Sequence, residues 1–186
     1  MSKTNGKSTT RKSSHYRAAP ARAVVDVVLS KANPTLFSLI AFAAATGARR
    51  KELFDVKWGD IDLSGATVLI RHVKGCRKVP LPHRLVEALN SLPGEQQPTS
   101  SVFFVDKNGA PISATRISTA FRKLCECAAT ERPDLAVEIK ALRFHDLRKF
   151  AFKQWREAGL SEREIYRLAG HSPLSTIRLF GWSSLE

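Results

Sequence analysis

Residues 36–45 read LFSLIAFAAA, apolar almost throughout, and Pro34 just ahead fits the first turn of a helix. A helix that is apolar around most of its circumference has to be enclosed by other elements, so this segment predicts a buried helix inside a globular domain. A helix ahead of it, from about residue 21, presents Val24, Val27, Val28 and Leu29 on one face. With 186 residues the chain is long enough for one domain with a substantial core and too short for two.

The pattern then changes period. In WGDIDLSGATVLIRHVKGCRKVPLP (58–82), Ala66, Val68 and Ile70 alternate with Thr67, Leu69 and Arg71. Gly75 marks a turn, and extended chain resumes over 78–81. This predicts a small antiparallel sheet. Residues 85–92 read as a helix closed by Pro93-Gly94, and 102–105 as a short strand. Ser113 is placed to cap a helix through about Ala129. After the Arg132-Pro133 break, helical segments are expected over about 145–158, 161–168 and 172–180. Gly159 stops the first, and Ser161 with Glu164 forms a capping-box pattern for the second. The fold class implied is α+β, mainly helical, with the sheet inserted early.

Charge narrows the partner. Thirty Lys and Arg against 17 Asp and Glu give a formal net charge of +13, for which a polyanionic partner is the natural reading: nucleic acid first, with a ribosome-type or a membrane surface as the alternatives. Up to about residue 22 the chain carries Lys3, Lys7, Arg11, Lys12, Arg17 and Arg22 and no acidic residue. Residues 1–20 are therefore expected as a basic flexible arm or linker and 21–186 as the folded domain. No apolar stretch approaches a membrane span, and a cytoplasmic, nucleoid-associated protein is expected. Cys76, Cys125 and Cys127, an odd number without a CxxC pair, argue against a disulfide framework and against a zinc knuckle.

Phosphoryl transfer on DNA without a metal needs fixed cations around the nonbridging oxygens, an acid for the leaving oxygen, and a nucleophile. Clustered carboxylates and histidines would be the metal-dependent solution. There is no HExxH, and Glu52 and Asp146 stand beside cations, so a metal-dependent nuclease is disfavoured. His145-Asp-Leu-Arg148 places an imidazole and a guanidinium three residues apart, on one face of a helix. By itself HxxR usually marks a polar helix face. Arg49, beside Arg50 and Lys51 at a helix start, could equally be a solvated basic turn, and Lys74 an ordinary turn lysine. His171, after Gly170 at a helix boundary, has a capping or core role as its default.

Taken in order, TGARRKEL (46–53), VKG (73–75), HDLR (145–148), LAGH (168–171) and STIRLF (175–180) resemble the tyrosine recombinases, the family of phage integrases and chromosome-dimer resolvases. The resemblance covers nearly everything from about Ala21 to Trp182. It implies an integrase-type catalytic domain that exchanges DNA strands through a 3′-phosphotyrosyl link. Arg49 and Arg148 would clamp the scissile phosphate, Lys74 would protonate the departing 5′ oxygen, and His145 would assist the nucleophile. His171 would donate a further hydrogen bond, and Glu52 would orient Arg49, although a helix N-terminus favours an acid there in any case. Arg50, Lys51, Arg77, Lys78 and Lys149 are expected as DNA contacts.

One position departs from the pattern: where the family has its tyrosine nucleophile, this chain has Phe180, which has no hydroxyl to form the link. Tyr16, in the basic arm, and Tyr166, in the helix before LAGH, are poorly placed to substitute. A deliberate Tyr→Phe change and a naturally degenerate, DNA-binding member both fit; the otherwise complete set of site residues favours the first. The resemblance also implies a helical domain ahead of this one and a docking helix beyond position 180. The 186 residues hold at most the arm and six residues in those places, so a truncated or a minimal recombinase is expected. Any homo-oligomer, dimer or tetramer, is expected on DNA.

Overall fold

The computed structural model describes residues 18–72, 75–91, 102–105 and 110–170. Lys74, His171 and Phe180, the arm over 1–17 and the helix expected over 172–180 lie outside the described residues.

Eight α-helices occur among the described residues: α1 Arg22–Ser30, α2 Pro34–Thr46, α3 Arg50–Phe54, α4 His83–Asn90, α5 Ala114–Glu131, α6 Ala136–Ala141, α7 Asp146–Glu157 and α8 Glu162–Ala169. Three strands, β1 Ile61–Asp62, β2 Thr67–His72 and β3 Gly75–Pro80, form one antiparallel sheet in the order β1-β2-β3. The mainly helical α+β class with an early sheet is the one expected.

The central helix is α2. Asn33 caps it by accepting the Leu36 N–H at 2.9 Å, and Pro34 occupies its first turn. Leu39, Ile40, Phe42, Ala43 and Ala44 are all buried, so residues on every side of the helix face protein. It packs on α7, α4 and α1, while α5 covers α1 and α6, and α8 bridges α7 and β3. Truncating Phe42 to Ala would remove about 3–5 kcal/mol, because its ring is fully enclosed and edge-on to Phe104.

In the sheet, β2 and β3 pair from Thr67↔Pro80 to His72↔Gly75. Val68 and Ile70 point inward from β2, and Arg77 and Val79 point inward from β3. Cys76 and Lys78 alternate outward.

Two local expectations are revised. Residues 102–105 make only isolated bridges, Lys57↔Val102 and Val105↔Pro111, and Phe103 and Phe104 are both buried. A strand pairing along its length would send successive side chains to opposite faces; here a cluster with Trp58 and Phe42 takes both rings inward. The connection after Pro133 contains a 3-10 turn, Pro133–Leu135, and the short helix α6 rather than a plain break. The caps follow the sequence: Ser113 accepts the Arg116 N–H, and Ser161 with Glu164 forms the capping box of α8.

Candidate functional site

The first motif is a turn built by its own residues. Thr46, fully buried, donates its hydroxyl to the Phe42 carbonyl at 2.7 Å and accepts the Ala48 N–H at 3.3 Å. Gly47 caps α2 in the left-handed conformation, φ +59°. A Cβ there would also come within 3.1–3.3 Å of Trp155, Phe152 and Ala151 on α7. This turn ends α2 and sets Arg49 as the cap of α3.

Glu52 is the third residue of α3. Its Oε2 accepts the Arg49 backbone N–H at 2.8 Å, as a helix-capping acid does, and its Oε1 accepts Arg49 Nη1 at 2.9 Å. Glu52 thus caps the first turn of α3 and bonds the Arg49 side chain with the same carboxylate. Oε2 also accepts Arg77 Nη2, at 2.7 Å. Burial alone would raise the Glu52 pKa, but the hydrogen bonds from Arg77 and from the Arg49 backbone and side chain outweigh it and hold the carboxyl at about 2. The Arg49 side chain remains 41% exposed.

Arg148 comes from the other half of the chain. It is the third residue of α7, is buried, and lies 4.8 Å over the Phe152 ring. Its Nη1 donates to the Gly47 carbonyl and its Nη2 to the Ala169 carbonyl, at 2.9 Å. One guanidinium thus ties the first motif to the last turn of α8, just ahead of His171. Burial and the Arg49 charge push its pKa down to about 9, with Glu52 opposing and Arg77 adding to the fall. Arg148 is still cationic at neutral pH.

His145 caps α7 with helical backbone angles, so it and Arg148 emerge at the same end of that helix. Its pKa is lowered by partial burial and by the charges of Arg148, Lys149 and Arg49, with Asp146 opposing. A depressed value leaves the imidazole neutral at pH 7, able to accept a proton. Beside it opens a cleft of about 570 Å³, with Arg50 and Lys51 of α3 on one wall and Arg143 and His145 on the other. Its floor is the edge-to-face pair Phe121–Phe144. Arg50 is held by a bond to Ser118 Oγ at 3.0 Å.

The structure thus brings Arg49, Glu52, His145 and Arg148 to one region from the N-terminal ends of two helices, α3 and α7. Arg50, Lys51 and Lys78 are exposed, while Lys149 is half-buried and 3.6 Å from Asp146. Arg77 requires a correction. Expected on the DNA-facing surface, its side chain is 5% exposed, because strand alternation turns it inward with Val79 to meet Glu52. Arg143 was not anticipated: it belongs to none of the five motifs, and only the approach of α3 to the start of α7 gives it a place. Among the described residues, no His, Cys, Asp or Glu group is placed to hold a metal ion, and no helix is long and apolar enough to cross a membrane.

Comparison with known proteins agrees with this arrangement. The family profile "Phage integrase family" matches residues 22–181. Among curated proteins, the tyrosine recombinase XerC 2 of Ralstonia nicotianae is 25% identical over 175 residues, covering 87% of this chain and 48% of the relative. The prophage integrase IntF of Escherichia coli K12 is 28% identical over 150 residues, covering 78% of this chain and 30% of the relative. This chain therefore spans about half or less of the length of these relatives. Among solved structures, the XerA recombinase superposes with a TM-score of 0.74 at 20% identity, covering 95% of this chain and 62% of that one. The Tn1549 transposon integrase in complex with transposon right end DNA gives 0.70 at 18% identity, covering 89% and 62%. The turn that carries Arg49, the small sheet and the helix bearing HDLR are parts of a known fold, and this chain belongs to the phage integrase family as a tyrosine-recombinase catalytic domain.

Proposed function

We propose that the domain is built for site-specific DNA strand cleavage and rejoining, and that with Phe180 it binds duplex DNA without cutting it. The observation that carries this reading is the convergence of Arg49, held by Glu52, with Arg148, held by two carbonyls, next to a neutral His145. Fixed guanidinium groups suit the developing charge of a phosphodiester transition state and need no reorganisation as the reaction proceeds. A tyrosine at position 180 would attack the phosphorus, leaving a 3′-phosphotyrosyl link and a 5′ oxygen protonated by Lys74. His145 would take the phenolic proton, and His171 would bond a nonbridging oxygen. Glu52 acts through Arg49. Arg50 and Lys51 of the basic cleft, together with Lys78 and Lys149 outside it, would follow the flanking phosphates, and the protein would reside on DNA in the nucleoid, assembling there as a dimer or tetramer.

A second reading, a noncatalytic DNA-binding regulator derived from a recombinase, is favoured by Phe180 alone. The two separate on a nicked suicide duplex, chosen from fragments that this protein binds. The recombinase reading expects a covalent protein–DNA band with the Phe180→Tyr variant and none with the chain as it stands. No band with either, on a duplex that both bind, supports the regulator. In the Phe180→Tyr background, Arg148→Ala should slow formation of the band by roughly 10²–10³-fold, the scale of losing one charge-stabilising donor.

A further inference from the structure

We propose that Arg77 is a positioning residue of the phosphate site: it fixes Glu52, and through it Arg49, against the backbone that precedes His171. The proposal rests on the recombinase reading above.

Glu52 has two oxygens and three donors to satisfy. Oε2 is shared between Arg77 Nη2 and the Arg49 backbone, which leaves Oε1 to aim the Arg49 side chain. Without Arg77 the buried carboxylate would have, among the described residues, Arg49 as its one bonded cation. The guanidinium meant for substrate would then be drawn into neutralising Glu52.

Arg77 also touches the fourth motif, LAGH. Gly170 sits at φ +65°, and a Cβ there would fall 2.8 Å from Arg77 Nη1 and 3.3 Å from Arg77 Cδ and Cζ. The flat guanidinium therefore lies against the backbone next to Ala169, whose carbonyl holds Arg148. One residue of the hairpin thus meets the supports of both proposed clamp arginines.

Stability does not account for it. Among the described residues, Arg77 Nε and Nη1 are buried and find no acceptor. Its inward neighbours Val79, Val68 and Ile70 show what this face otherwise holds. Replacing a buried ion pair with apolar residues is often neutral or stabilising, so a cation kept here with two unused donors points to the site it supports.

The test compares Arg77→Met and Arg77→Lys, both in the Phe180→Tyr background on the suicide duplex and in the chain as it stands. Arg77→Met should slow covalent-band formation by about tenfold or more, the scale of a misplaced reacting group, while DNA affinity changes less than about threefold. Arg77→Lys should recover most of the rate. An unchanged rate in Arg77→Met would overturn the proposal. So would a parallel fall in rate, affinity and melting temperature that Arg77→Lys does not recover.

If Phe180→Tyr itself gives no band, the recombinase reading has failed, and NMR of the chain as it stands decides the Arg77 contact separately. In Arg77→Met, the Glu52 carboxyl titration should move up from its low midpoint and the Arg49 side-chain N–H signal should shift. If neither moves, Arg77 does not position Glu52.

Discussion

Glu52 is a buried carboxylate that accepts its hydrogen bonds from Arg49 and Arg77 while ionised, and this gives it a signature in acid. Its folded pKa of about 2 lies below its ordinary 4.5. A depressed carboxylate contributes stability that is fully present above the ordinary value and is lost as pH falls through the folded one. Unfolding by urea should therefore show a contribution on the order of 3 kcal/mol above pH 4.5 that fades toward pH 2. Glu52→Gln should lack that dependence; the same acid slope in the variant would assign it to other groups. At this scale the sequence was legible in part. The motifs carried Arg49, Glu52, His145 and Arg148 because their spacings are specific. Arg77 is the exception: its charge suggests a surface contact, whereas the pairing of β3 with β2 turns it to the inner face with Val79.

At the level of elements, Gly47 joins backbone and packing in one residue. Its left-handed angle disfavours any side chain, a Cβ would press on Trp155, Phe152 and Ala151, and its carbonyl holds Arg148. Gly47→Ala should cost about 2–3 kcal/mol of stability, combining the conformational penalty with overpacking. Thermal unfolding checks this, and a loss below about 0.5 kcal/mol, the range of an ordinary surface change, would contradict the close fit. Long and well-capped elements were readable from sequence: α2 through Pro34 and its apolar run, α5 through Ser113, α8 through Ser161 and Glu164. The failures are short. An apolar run such as 102–105 has the composition of a strand, yet its burial is decided by Trp58 and Phe42, distant in sequence. The six residues of α6 bury only Ile139, too little to give a period.

Across the molecule, the +13 charge is spread unevenly in function. Many surface cations pair with acids, as Lys31 does with Glu131, Arg132 with Asp134 and Arg156 with Glu162. Arg50, Lys51, Lys78 and Arg143 are exposed, and three of them line the cleft. If these and Arg49 each neutralise one phosphate, log affinity should fall against log salt with a slope of about −4 or steeper. Arg143→Ala should flatten that slope by about 0.9 without changing the preferred duplex. A slope near zero would rule out a phosphate-following face. Charge alone pointed to nucleic acid; it could not say which face meets it, because that depends on α3 and the segment ahead of α7 coming together across the cleft.

On the proposed function, this site makes a phosphodiester vulnerable to a hydroxyl placed at position 180. The most direct measurement is peptide mapping of the adduct formed by the Phe180→Tyr variant on a labelled suicide duplex. The expected adduct is a nucleotide remnant joined through its 3′ phosphate to residue 180, with a free 5′ hydroxyl on the released strand. A remnant on Tyr16 or Tyr166, or a 5′-phosphate linkage, would contradict it.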